Sequence, residues 1–319
     1  MPGRFDRRSF FKKSVATSAG AALGFSFEEK ALLARAEAQS ARTASSSSGK
    51  GLPAGKIGDL EITRLICGGN LISGHAHSRD LIYVSPLLKQ YFTDDKVLET
   101  LQIAEENGVN TVILRLDSHC LRIIDKHWNE RGGKLQWIAQ IKPSPENIKK
   151  DIRTAVDNGA TGAYLQGGVA DSFTKSGRVD LIGLAVECMK EHGVIAGIGA
   201  HMLDVVVESE RAGLNPDFYM KTLNSKSYWS AGPMPRHDSV WAETPLETIE
   251  FMKKVNKPWI AFKVLGAGAI HPKEGFEYAF NNGADFICVG MFDFQVSMDA
   301  DLVRDTFAKG VDRPRPWMA

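Results

Sequence analysis

Long apolar runs are missing from this sequence, and so is a surplus of charge of one sign. No run approaches the ~20 residues that a membrane-spanning helix needs, so we expect no membrane span in the mature protein. The 39 Lys and Arg residues nearly balance the 38 Asp and Glu residues. Because no global positive field results, nucleic acid is not an expected partner.

Cysteine is scarce, and its spacing offers no pair. Cys67, Cys120, Cys188 and Cys288 lie far apart, without a C-x-x-C pair or zinc-like spacing. This pattern favours buried free thiols. A G-x-G-x-x-G turn after the first strand is also absent, which disfavours a doubly wound dinucleotide-binding sheet.

The N-terminus carries an export signal. The run Arg7-Arg8-Ser9-Phe10-Phe11-Lys12 resembles the twin-arginine motif, and a weakly apolar stretch and Ala36-Glu37-Ala38 follow it. We predict a signal peptide over residues 1–38 and a flexible linker over 39–55. The expected location is periplasmic or otherwise extracytoplasmic, and the expected partners are the twin-arginine export machinery and a signal peptidase.

Short apolar runs alternate with stretches of helical length from residue 57 onward, as in repeated βα units. Helix-like stretches include 94–107, 144–158, 181–192, 203–212, 245–255 and 272–282, and several end in a glycine suited to a left-handed C-cap. Eight runs are strand candidates: Arg64 to Cys67, Val109 to Leu114, Gln136 to Ile141, Gly162 to Leu165, Val194 to Ile198, Phe218 to Met220, Trp259 to Val264 and Phe286 to Val289. Eight parallel strands close a barrel, so we predict a single-domain (β/α)8 TIM barrel over residues 56–319.

Polar side chains follow almost every predicted strand, at the end of the barrel where such folds do their chemistry. Candidates for proton transfer are Asp117, His119, Lys142, His201 and Lys221. Candidates for substrate binding are Asn70, Arg115, Gln166 and Lys263, with Trp229 and Trp241 from a long loop over 225–244 that suits a sugar-like ring. A metal site would use His77, His119 and His201. So many ionisable groups at one rim favour an enzyme with a small-molecule substrate.

Three segments resemble the aldo-keto reductases. The run IGDLEITRLICGG at residues 57–69 is similar to their N-terminal β-hairpin and first barrel strand, GVN at 108–110 to the entry of strand two, and KPWIAFKVLGAG at 257–268 to strand seven. The resemblance implies a hairpin before the barrel, a carbonyl or polyol substrate, and NADP as cofactor. Backbone N–H groups at Gly266, Gly268 and Gly290 would then approach the phosphates.

The same resemblance locates the family's catalytic positions. Its lysine matches Lys142, but Ile113 stands where the family has its aspartate, and Ser118 where it has its tyrosine. Gln166 or Gly167 replaces its histidine, and Asp293 ends the run that matches its basic cofactor signature. Neither Ile nor Ser can protonate an alkoxide as the tuned tyrosine does, so a standard NADP-dependent mechanism is not expected.

Several functions stay open on the sequence alone. The first is an exported aldo-keto-reductase-like enzyme that acts on a small carbonyl or polyol, sugar-derived, with non-standard residues. The second is a lyase, isomerase or hydrolase that uses a divalent metal, or a Schiff base on Lys142, Lys221 or Lys263. The third, outside enzymology, is an exported sugar-binding protein.

Overall fold

The predicted barrel is present. The computed structural model describes residues 51–75, 81–228 and 242–319. Eight parallel strands close on themselves in chain order, and the last pairs with the first. These strands are β3 (Leu65–Gly68), β4 (Thr111–Arg115), β5 (Gln136–Ile141), β6 (Gly162–Leu165), β7 (Ile195–Ala200), β8 (Phe218–Thr222), β9 (Trp259–Phe262) and β10 (Phe286–Val289). An antiparallel hairpin of β1 (Ala54–Ile57) and β2 (Leu60–Thr63) precedes them, as the resemblance implied.

Helices alternate with the strands, which makes the fold a (β/α)8 barrel. They are α1 (Val84–Tyr91), α2 (Asp94–Glu106), α3 (Ser118–Asn129), α4 (Ile148–Asp157), α5 (Gly167–Lys175), α6 (Val179–Glu191), α7 (Leu203–Arg211), α8 (Pro245–Met252), α9 (Pro272–Asn281) and α10 (Asp293–Ala308). Short 3-10 turns cover Pro145–Asn147 and Gly266–Gly268. The expected glycine caps have positive φ, for example 89° at Gly108 and 100° at Gly283.

Apolar side chains form two cores, one on each side of the strands. Alternate residues of β8 show the division: Phe218 and Met220 face the barrel interior, whereas Tyr219 packs with the layer between strands and helices. Ile57 and Ile62 of the hairpin join the interior core, so the hairpin closes the N-terminal end of the barrel. Chemistry is therefore confined to the opposite end.

The C-terminal segment is held to the same closed end through Asp285, which is fully buried before β10. Its carboxylate accepts hydrogen bonds from Arg313 Nη2, from the Trp259 N–H and from the Met318 N–H, at 2.9 to 3.0 Å. Arg315 lies 3.7 Å from it. Arg64 donates to the Asp285 carbonyl and lies over the Trp317 ring at 4.2 Å.

All four cysteines are buried free thiols, as their spacing indicated. Among the described helices, we found none with the length and apolar character that crossing a membrane requires.

Candidate active site

Side chains at the C-terminal ends of the strands reach the mouth of the barrel when they continue the inward-facing register. Arg115 lies two residues beyond the interior residue Ile113, and Gln166 two residues beyond Tyr164. The same alternation along β7, counted from the interior residue Ile195, turns His201 inward. The structure thus brings three of the predicted site residues, Arg115, Gln166 and His201, to one opening.

The best-defined group at this opening is a pair formed by His201 and Asp171. His201 Nδ1 lies 2.7 Å from Asp171 Oδ2, while Asp171 Oδ1 accepts the backbone N–H groups of His201 and Met202, both at 3.1 Å. The side chains are only 9% and 11% exposed. A carboxylate at Nδ1 keeps the proton on that nitrogen, so Nε2 carries the lone pair of a neutral ring.

The ring of His201 is held in place on both sides. A Cβ added to Gly167 would lie 3.0 Å from its Cε1 and Nδ1 atoms, so only glycine leaves room for the ring there. The Phe262 ring lies 5.5 Å away on a tilted plane. Burial lowers the pKa of His201 more than the hydrogen bond from Asp171 raises it, and nearby Lys263 lowers it further. Within the described part of the chain Nε2 makes no hydrogen bond, so a neutral base is available at the mouth.

Asp171 was not among the residues that the sequence pointed to. It lies on α5, a short helix inserted between β6 and α6 whose Asp171 side chain reaches the end of β7. No spacing rule links Asp171 to His201, thirty residues later. The one available signal was the unusual length of chain between strands β6 and β7, which leaves room for a second helix.

Lys221 lies in the barrel wall behind His201. It is one residue out of phase with Met220, so its side chain leaves the strand on the outer face. Its Nζ is buried and donates to the His201 carbonyl at 2.8 Å and to Thr222 Oγ1 at 2.9 Å. Burial lowers the pKa of Lys221 to about 7. The structure therefore gives Lys221 a place in supporting the His201 backbone rather than in the opening.

Asp117 and His119 begin α3, and their side chains have partners there. Asp117 caps the helix by accepting the Cys120 N–H at 2.9 Å, and its other oxygen lies 3.8 Å from Arg115 Nε. His119 Nε2 lies 3.6 Å from Asp94 Oδ1 in the helix layer. The structure does not bring His119 to the neighbours of His201.

A metal at this position would need to displace those partners. Asp117, His119 and Cys120 form the one group in the described ranges whose possible ligand atoms lie together, within 4.8 Å of one another. Burial raises the pKa of the Cys120 thiol to about 11, which opposes the thiolate that a metal binds. The donor set therefore fits a divalent metal poorly.

The remaining predicted residues are spread around the rim. Gln166 caps α5 by accepting the Val169 N–H at 3.1 Å, and Lys142 is exposed after β5. Asn70 follows β3, and its carbonyl accepts the His75 N–H. Lys263 has a positive φ of 59°, and its carbonyl accepts from Asn224 Nδ2 at 3.0 Å. His77, Trp229 and Trp241 lie outside the described residues.

The three glycines expected at a cofactor have other roles in the structure. The N–H of Gly266 donates to the Lys263 carbonyl, and that of Gly268 to the Leu265 carbonyl, so both close turns. A Cβ on Gly266 would meet the Tyr228 ring at 2.9 Å. A Cβ on Gly290 would lie 3.1 Å from Leu71, which explains that glycine by packing.

A carboxylate occupies the first turn of α10, where barrels often bind phosphate. Asp293 accepts hydrogen bonds from the Tyr91 hydroxyl and from Lys96 Nζ, the latter at 3.0 Å. Burial acts to raise the pKa of Asp293, but these two donors outweigh it and lower the pKa, so the side chain is an anion. A second anion at this helix N-terminus would be repelled.

Solved structures share this fold at low sequence identity. A protein described as an aldo-keto reductase from Pseudomonas aeruginosa superimposes with a TM-score of 0.56 at 13% identity, over 79% of this chain and 95% of that one. The apo form of the protein Gox0644 gives 0.52 at 10% identity, over 84% and 99%. A 3-deoxyheptonate aldolase (DAHP synthase) from Thermotoga maritima gives 0.50 at 11%, over 81% and 73%. No family model and no curated protein matches the chain. The likeness therefore concerns the fold alone.

Proposed function

We propose that this protein is an exported enzyme with an aldo-keto-reductase-like barrel that moves protons on a small carbonyl or polyol compound, sugar-derived, with His201 as the base. The observation that carries the proposal is the buried pair of Asp171 and His201 at the mouth. Its geometry keeps His201 Nε2 unprotonated and directed by a fixed ring. A positioned base of this kind contributes roughly 10²–10⁴-fold to proton-transfer rates.

In this mechanism His201 Nε2 removes a proton from a substrate hydroxyl, or from the carbon next to a carbonyl. The imidazolium that forms is stabilised by the Asp171 carboxylate, which stays ionised. Arg115, inward-facing at the end of β4, can orient the substrate oxygen on which negative charge develops. The proton returns from His201 to a neighbouring atom of the substrate, so the enzyme ends as it began.

Hydride transfer to NADP fits these residues less well. Gox0644 has been crystallised with NADPH. In this chain, however, the residue at the family's aspartate position, Ile113, is 4% exposed in the barrel core, and Ser118 starts a helix. The turn-forming glycines and the anionic Asp293 do not favour a cofactor phosphate. We therefore propose isomerase- or lyase-type chemistry and derive no step through a nicotinamide.

Deuterium exchange tests the proposal whatever the product of the reaction is. The full chain is incubated in D₂O with a panel of small aldoses, ketoses and related polyols, and loss of C–H signals is followed by NMR. We expect exchange in at least one compound and a loss of at least about 100-fold in His201→Gln, since glutamine cannot act as the base. His271→Gln, an exposed histidine that caps α9, is the matched control. Equal exchange rates in wild type and His201→Gln would exclude this base.

Asp171→Asn is expected to act through His201 rather than on the substrate. Loss of the carboxylate removes the interaction that raises the pKa of His201, so that pKa falls further below its ordinary value. The acidic limb of the kcat profile should move to lower pH while kcat itself falls by roughly 10–10³-fold as the imidazolium loses its partner. An unshifted limb with reduced kcat would instead assign Asp171 a purely structural role.

Export is the part of the proposal that rests on residues 1–38, which lie outside the described range. The support is the Arg7-Arg8 motif and the small residues Ala36 and Ala38. Replacing both arginines by lysine should leave the chain in the cytoplasm of a producing bacterium, as shown by fractionation and immunoblotting. Extracytoplasmic protein in the double variant at wild-type level would contradict this route.

A further inference from the structure

Seven large apolar side chains are exposed on α1, on the turn before it and on the first turns of α10. Their exposed fractions run from 38% to 75%, and none of them is charged. We name them the α1/α10 patch: Leu81, Ile82, Tyr83, Leu87, Tyr91, Phe294 and Met298. Isolated exposed apolar residues are ordinary in proteins, so contiguity decides whether this set means anything.

The patch is continuous. Tyr83, Leu87 and Tyr91 are spaced four residues apart and form one stripe along α1. Phe294 and Met298 have the same spacing on α10. The Phe292 ring joins the two stripes, because it lies 5.4 Å from the Tyr91 ring and stacks on the Phe294 ring at 5.2 Å.

The chain itself gives α1 little support. Of its eight residues only Leu88 is buried. A helix this short is marginal in water, and in proteins its stability comes from packing of an apolar face. Here most of that face points outward, which is the arrangement expected of a helix that completes its packing against another molecule.

Charge at the border of the patch narrows the kind of partner. Asp293 and Lys96 lie beside Tyr91 and pair with each other at 3.0 Å, so they present no net charge. Helices that lie on anionic membranes surround their apolar face with Lys and Arg, a feature missing here. An uncharged aliphatic and aromatic surface is complementary to another surface of the same composition.

We propose that the α1/α10 patch is the contact surface of a homodimer, in which the patch of one copy packs against the same patch of a second copy. Ordinary side-chain areas put the exposed apolar surface on the order of 800 Å², about what each partner contributes to a standard protein interface. This exceeds the largest apolar patch of a typical monomer, roughly 300–600 Å². Self-association of one patch closes into a two-fold dimer without open growth.

Sedimentation velocity of the full chain between about 1 and 100 µM tests the proposal. We expect a dimer, and we expect Leu87→Glu and Phe294→Glu each to raise its dissociation constant at least 100-fold, since every substitution places two carboxylates in the apolar contact. Leu246→Glu is the matched control, because Leu246 is 73% exposed on α8, away from the patch, and its variant should dimerise like wild type. Circular dichroism confirms that each variant is folded.

Three outcomes would overturn the proposal. The first is a wild-type monomer at 100 µM. The second is a dimer that both patch variants leave intact, which would place the contact elsewhere. The third is a monomer that floats with phosphatidylcholine vesicles and loses them in Leu87→Glu, which would assign the patch to lipid. None of these outcomes depends on the proposed role of His201.

Discussion

Replacement of Asp285 by alanine is expected to lower the free energy of unfolding by about 3–5 kcal/mol, the usual effect of removing one partner from a buried ion pair. The Asp285 carboxylate is 0% exposed, and Arg313 and Arg315 beside it are 6% and 1% exposed. Burial lowers the pKa of both guanidiniums, and the Asp285 charge opposes that change. Without Asp285 the positive charges at the closed end of the barrel would lose their carboxylate.

The loss extends beyond charge. Asp285 also accepts the N–H groups of Trp259 and Met318, so it joins the start of β9 to the C-terminal segment. Asp285→Ala leaves both donors without this acceptor, whereas Asp285→Asn keeps an acceptor oxygen and removes only the charge. We therefore expect the asparagine variant to be destabilised less than the alanine variant.

Urea unfolding followed by tryptophan fluorescence measures the effect. Asp180→Ala is the matched control, since Asp180 forms an exposed ion pair with Arg178 at 2.8 Å and should contribute under about 1 kcal/mol. If Asp285→Ala and Asp180→Ala had equal effects, burial would not explain the importance of Asp285.

The barrel could be predicted because each strand is an apolar run that ends in a glycine, a charge or an amide. The predicted bounds of Gln136–Ile141, Gly162–Leu165 and Phe286–Val289 match the structure. In a parallel barrel both faces of a strand are buried, so the runs are continuous and stand out from the helices. Bounds were less accurate where a strand continues into polar residues, as β8 does through Lys221 and Thr222.

The site was harder to predict because the direction of a side chain depends on its register in the strand. Lys221 and His201 both lie near strand ends and look equivalent in the sequence, but only His201 has the inward register. The interior residue Met220 directly before Lys221 was the available signal. Asp171 comes from an inserted helix whose position is set by tertiary packing alone, and no local pattern encodes that.

Glycine illustrates the same limit. Gly266, Gly268 and Gly290 suggested a phosphate site because glycine allows close approach to a ligand. The structure shows that glycine also allows close approach to another part of the protein. Tyr228 lies where a Gly266 side chain would be, and Leu71 lies beside Gly290. Sequence alone does not distinguish these two reasons for a missing side chain.

Asp299 should make the protein less stable as the pH rises from 4 to 7. It lies on α10 with 1% exposure, and its Oδ1 has no hydrogen-bond partner among the described residues. Burial raises the pKa of Asp299 from 3.8 to about 7. Between these two values the folded protein keeps a proton that the unfolded chain has released, so folding becomes less favourable by up to ~1.4 kcal/mol per pH unit.

Asp299→Asn removes the titration and keeps the shape of the side chain. The stability difference between this variant and wild type should grow in favour of the variant from pH 4 to pH 7 and then level off. The total change should approach about 4 kcal/mol, because above pH 7 the wild type holds a buried charge or must unfold to expose it. A constant offset from the asparagine amide does not alter this slope.

Urea unfolding at pH 4, 6 and 8 gives the three points that fix the curve. Asp95→Asn is the control, because the Asp95 side chain is 92% exposed on α2 and a change there should give a difference from wild type that hardly varies with pH. If the Asp299→Asn difference were equally flat, the Asp299 carboxyl would be ionised in the folded protein at little cost. Water or a cation would then have to reach the interface of α10, since a buried carboxylate without a partner cannot otherwise stay charged.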